Sequence, residues 1–188
     1  MMNKALIKKL VLWLRRKHPG AVVKMRDFWM YYIHLLFGVV PMSASLGIRV
    51  LRKNGVVEDK GIVCTHAVTD AFVAALVDTL QSSVATFSDY KYHDSGTDST
   101  AEDSTDTALV ATCGDARTTG TQIEGTTANI YKSVATHTYG GAYTIVEHGL
   151  FNAAAVGTLM DRSVFTGIGV AIGDKIEFTY QLTCTSGG

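Results

Sequence analysis

The chain is short of several residues and patterns that would narrow its class. Only two prolines occur in 188 residues, so no proline-rich linker or polyproline segment exists. Three cysteines, Cys64, Cys113 and Cys184, form no CxxC pair. An odd, unpaired set argues against a disulfide framework or a zinc site, and for free, mostly buried thiols. No apolar run reaches the ~20 residues of a membrane span. The most apolar stretch, FWMYYIHLLFGVVP at 28–41, is shorter and carries His34. The opening MMNKALIKKLVLWLRRK is interrupted by Lys8, Lys9, Arg15, Arg16 and Lys17, and no small-residue cleavage site follows, which argues against a secretory signal. No P-loop, no GxGxxG after a strand, no HExxH and no GxSxG is present.

Net charge is also zero, but the zero hides a split. Residues 1–60 hold 12 Lys/Arg against 3 Asp/Glu, and residues 61–188 hold 5 against 14. The two parts therefore carry +9 and −9, an asymmetry that predicts different neighbours for each. An apolar fraction of 47% is that of a folded domain.

The pattern predicts three regions. Residues 1–45 read as a basic, aromatic-rich helical arm. Leu6, Leu10, Trp13 and Leu14 recur at helical spacing over 3–17, and a second helix covers 22–37. GVVPMSASLG, 38–47, reads as a linker. Residues 46–86 read as a β-hairpin and a helix. Asn54-Gly55 suits a type I′ turn, and Thr69 suits the N-cap of a helix over 69–83 with Phe72, Leu76 and Leu80 on its apolar face. Residues 87–188 read as short strands separated by glycine turns, at 108–113, 129–139, 142–151, 159–165 and 175–185. In the last, Ile176, Phe178, Tyr180, Leu182 and Cys184 alternate with polar residues, the mark of a half-buried strand. The fold class predicted is mainly β: an antiparallel, jelly-roll-like β-sandwich with a helical arm, a hairpin and one packed helix, 46–188 forming one folding unit.

Glu147, His148, Asp161, Arg162 and Ser163 have the composition of a hydrolase site. Neighbours on a strand point to opposite faces, so neither Glu147 and His148 nor Asp161 and Arg162 can act together. The expectation is structural: Glu147 pairs with Arg162 across the sheet, Asp161 binds loop amides, and Ser163 points along the sheet. His66, His93, His137 and His148 show no ligand spacing, so neither a metal nor a cofactor is expected. The acidic loop 94–106, with Asp94, Asp98, Glu102, Asp103 and Asp106, lacks the glycine and terminal glutamate of an EF-hand, and reads as solvated.

Several linked motifs carry a resemblance over residues 46–186: the hairpin GIRVLRKNGVVEDKGIVCTHAVT, then ARTTGTQIEGTTANIYKSVAT, and most specifically EHGLF followed by GTLMDRSVF. This order resembles a family of tailed-bacteriophage structural proteins, found among capsid decoration (cement) proteins and tail-fibre-like components. The resemblance implies a non-enzymatic virion component that docks on the major capsid protein or other virion proteins. It implies a homo-oligomer, with a trimer preferred because decoration proteins often sit at threefold positions. Glu147, His148, Asp161 and Arg162 would then be fold determinants; Asn54 and Gly55 are structural on the turn reading alone. The interface candidates lie in the arm: Trp13, Arg15, Arg16, Phe28, Trp29, Tyr31, Tyr32 and Phe37. These aromatics suit an interface core, and the basic residues suit an acidic protein surface. One short basic helix is weak support for nucleic acid, and no small-molecule substrate is expected. A tail, collar or fibre component is the alternative reading.

Overall fold

Ala44, Leu46, Ile48 and Val50 occupy every second position, and all four are buried. That period of two builds a strand in the computed structural model, which describes residues 42–66, 68–80 and 87–184. The arm, with Trp13, Arg15, Arg16, Phe28, Trp29, Tyr31, Tyr32 and Phe37, lies outside the described residues save for 42–45.

In chain order the elements are β1 (Met42–Leu51), β2 (Val57–His66), α1 (Asp70–Leu80), a 3₁₀ turn (Phe87–Asp89), β3 (Tyr92–Gly96), β4 (Thr118–Thr119), β5 (Thr121–Glu124), β6 (Ile130–Thr138), β7 (Tyr143–Phe151), β8 (Leu159–Val170) and β9 (Lys175–Cys184). They make a five-stranded sheet, β2-β1-β9-β6-β5, and a four-stranded sheet, β4-β3-β7-β8. Every strand pair is antiparallel. The chain is thus a mainly-β, sandwich-like fold, as its alternation predicts.

The core lies between the sheets. One cluster joins Leu46, Ile48, Val50 and Phe178 of the first sheet to Ile145, Phe165, Ile168 and Val170 of the second. A second cluster joins Tyr180 and Leu182 to Leu150 and Met160, with Phe72 of α1 and Tyr90 beside them. Each fully buried side chain of this size contributes about 1.5–3 kcal/mol.

Thr69 caps α1, its Oγ1 accepting from Phe72 N at 3.1 Å. The same hydroxyl donates to Leu159 O at 2.5 Å, tying the cap to β8. Of the predicted apolar face only Phe72 is buried, and Leu80 is 77% exposed.

Four readings of the sequence are corrected. The linker assigned to 38–47 overlaps β1, because the alternation that ends at Val50 starts at Ala44. The hairpin turn is not type I′. Gly55 N donates to Arg52 O at 2.9 Å and Gly55 alone has positive φ, +88°, so the turn centres on Lys53 and Asn54. Asn54 instead uses its side chain, Oδ1 accepting from Val56 N at 3.1 Å. The strand predicted at 108–113 is a covering loop, with one isolated bridge between Thr112 and Gly96. Finally, β3 falls partly inside the stretch read as a loop, because its inward positions, His93 and Ser95, are polar and give no hydrophobic period.

Candidate functional site

Glu147 and His148 do point to opposite faces of β7, and each anchors a different polar cluster. On the outer face, Glu147 Oε2 accepts from Arg162 Nε at 2.8 Å. Glu147 is paired in register with Val164, which places Arg162 diagonally across the β7–β8 pair. Both side chains are sealed from solvent. Glu147 also accepts from the amides of Ala111 at 2.9 Å, Val110 at 3.2 Å and Asp98 at 3.4 Å. Arg162 in turn donates to Asp106 Oδ2 and Thr100 O, both at 3.1 Å.

The acidic loop is therefore not simply solvated. This pair straps it over the outer face of the second sheet, and Asp106 is consumed in holding it. Asp94 sits in β3 and accepts from Arg117 Nε at 3.2 Å. The Arg117 guanidinium lies 3.4 Å above the Phe151 ring and also donates to Ala153 O and Val156 O.

On the inner face lie Asp161, Ser163 and His148, with His66 reaching in from β2. Asp161 does not bind loop amides; Glu147 takes that role. The Asp161 carboxylate instead stands 2.7 Å from His66 Nε2. Ser163 Oγ donates to Asp161 Oδ1 at 3.2 Å and lies 3.3–3.4 Å from both His66 nitrogens. Ser163 thus points into the core rather than along the sheet.

Acid, imidazole and hydroxyl do converge here, but not as a catalytic relay. A relay needs the acid on one ring nitrogen and the hydroxyl on the other. Here Nε2 meets the acid, and the hydroxyl sits between the two nitrogens. Burial alone would push His66 down, yet the adjoining Asp161 carboxylate, with Cys64 beside it, outweighs burial and holds the imidazolium at about 10. A protonated ring cannot take the serine proton. All three residues are 0–2% exposed, so no substrate reaches them. The group is a buried ion pair with a hydroxyl attached.

His148 belongs to a neutral chain. His148 Nε2 and His93 Nδ1 are 2.9 Å apart, and His93 Nε2 is 2.8 Å from Ser133 Oγ on β6. Burial, assisted by the nearby histidines, pushes His93 down to about 3 and His148 well below its ordinary range.

A third cluster has no sequence signal. Cys113 and Asp115, on the loop before β4, meet His137 of β6. His137 Nδ1 is 2.9 Å from Thr118 Oγ1, while its buried Nε2 has no hydrogen-bond partner among the described residues. Burial lowers the His137 pKa despite the opposing carboxylates of Asp115 and Asp94. Cys64 and Cys113 are buried and Cys184 is exposed, and all three are free thiols.

Among the described residues no helix is long and apolar enough to cross a membrane. An apolar depression of about 260 Å³ is lined by Met42, Phe72, Leu76, Phe87, Tyr131 and Met160, among others. Comparison with protein-family models, with curated proteins and with solved structures finds no match to this chain.

Proposed function

We propose that the chain is a non-enzymatic structural protein of a tailed-phage virion, and that it binds and stabilises the capsid shell. One observation carries the reading: the acid, imidazole and hydroxyl groups of Glu147, Asp161, His66 and Ser163 are spent on partners inside the domain. Glu147–Arg162 closes a loop, and Asp161–His66–Ser163 joins the two sheets, so neither is presented to a substrate. Such a domain is suited to bearing load at a junction of subunits. The motif order of residues 46–186 supports the same reading.

Attachment is assigned to the basic arm. Its eight aromatic and arginine candidates suit an acidic protein surface, and it joins the domain at Met42, which lines the apolar depression beside Phe72. A stable contact would bury about 1,000 Å² or more.

The test is co-sedimentation with purified virions that lack the chain. The full chain is expected to pellet with them. A version without residues 1–41 is expected to keep its β-type circular dichroism and stay in the supernatant. Equal binding by both versions would refute attachment through the arm. Hydrolysis of an ester or peptide substrate, abolished by Ser163→Ala, would refute the non-enzymatic reading.

A further inference from the structure

Three ligand-type atoms from two pieces of the chain, the loop at 113–115 and β6, come together at one end of the sandwich. Cys113 Sγ and Asp115 Oδ2 are 3.9 Å apart, and His137 Nε2 and Asp115 Oδ2 are 3.8 Å apart. All three atoms lie within 4.8 Å of one another. Zinc held tetrahedrally by sulfur, nitrogen and oxygen at its usual bond lengths needs ligand–ligand edges of about 3.3–3.6 Å. The two edges to Asp115 come within about half an ångström of that, and closing the third, Cys113 to His137, from within 4.8 Å takes a side-chain adjustment.

The histidine supplies the second observation. Its Nε2 is buried, with no hydrogen-bond partner among the described residues, and faces the carboxylate from beyond hydrogen-bond reach. A buried polar atom left unmatched in this way has lost its water without gaining a partner. Nδ1 and Thr118 Oγ1 are 2.9 Å apart, a contact that accommodates the tautomer in which Nδ1–H donates and Nε2 carries the lone pair on the side of the cysteine and aspartate. A metal-bound histidine is ordinarily held in this way by its other nitrogen.

The remaining ligands are also braced. Ser95 Oγ lies 3.5 Å from Cys113 Sγ and accepts from Tyr139 OH at 3.2 Å, which leaves the serine proton free to support a thiolate. Gly140 N donates to Asp115 Oδ2 at 3.3 Å. Cys113 and His137 are buried, while the Asp115 side chain is 25% exposed, so an ion can enter past the carboxylate.

We propose that Cys113, Asp115 and His137 bind one zinc ion per chain, with water as the fourth ligand. Thiolate and imidazole together select zinc and its neighbours over calcium or magnesium. The ion would fasten the loop that covers the second sheet to β6 of the first. The inference does not depend on the virion assignment.

The test uses the full chain, stripped with a chelator and titrated with zinc chloride, and separately with cobalt(II) as a spectroscopic probe. One equivalent of zinc should bind, and the cobalt form should show thiolate-to-metal charge-transfer absorption. Asp115→Ala, at a part-exposed position, should bind zinc at least about tenfold more weakly. Cys113→Ser should lose the charge-transfer band, and Cys184→Ser should keep it. Thr118→Val should weaken binding roughly 10–100-fold by releasing the ring. The site is refuted if the stripped chain takes up no zinc, if Asp115→Ala binds as tightly as the unaltered chain, or if the cobalt form lacks the band. If Cys113→Ser does not fold, the unaltered chain's spectrum and the Asp115→Ala titration decide.

Discussion

Arg162 Nε lies 2.8 Å from Glu147 Oε2, and neither side chain reaches solvent. A buried pair of this kind need not outperform an apolar pair, but removing one partner strands a charge. Glu147→Gln is expected to cost about 3–5 kcal/mol, seen as a lower urea midpoint. The loop 97–112 should also become open to protease, because its amides lose their ionic acceptor. A loss below about 1 kcal/mol would mean that the pair does not hold the loop.

The buried histidines predict stability that falls on both sides of neutrality. His66 is held at about 10 in the folded chain, with Asp161, Cys64, Ser163 and Tyr180 around it, against an ordinary 6.5. Its contribution is complete below pH 6.5 and is lost as pH rises from 6.5 through 10. His93 and His148 behave oppositely. They are neutral when folded and take up protons on unfolding, so their contribution is lost as pH falls from 6.5 towards 3. Urea denaturation across pH should show a maximum near 6.5, and His66→Gln should flatten the alkaline side alone. A profile that keeps rising to pH 9 would contradict the ion pair.

Gly96 stands opposite Glu147 in the β3–β7 pair. A Cβ there would run into Ala111 O and the Glu147 carboxylate. The missing side chain lets the carboxylate fold across the strand to the Ala111 amide. Gly96→Ala should therefore destabilise by about 2 kcal/mol, read from the thermal midpoint, by overpacking a site whose neighbours cannot yield. An unchanged midpoint would show that the loop is free to shift.

Val156 is the one described residue other than glycine with positive φ, 57°, and it is 86% exposed. A β-branched residue is strained there and has little packing in return. Val156→Gly should raise stability by about 1 kcal/mol, measured by urea denaturation. A loss of stability would place the strain elsewhere.

Legibility followed the physics of each signal. β9 was readable because burial alternates strictly from Ile176 to Leu182. Glu147–Arg162 was readable because opposite charges on adjoining short strands have few other partners. β3 was obscured because its buried face carries His93 and Ser95 instead of apolar residues. The partner of Asp161 is not legible in the sequence, because His66 arrives from β2, far off in the chain, and no periodicity encodes that meeting. Cys113, Asp115 and His137 share no motif spacing; only the packing of a loop against β6 unites them.

Quantitative mass spectrometry of purified virions, counting the chain against the major capsid protein, tests the proposed capsid-bound scaffold. Hundreds of copies per particle are expected, in a fixed ratio to the shell subunit. A count of tens or fewer would place the chain on the tail, and its absence from the particle would overturn the virion assignment.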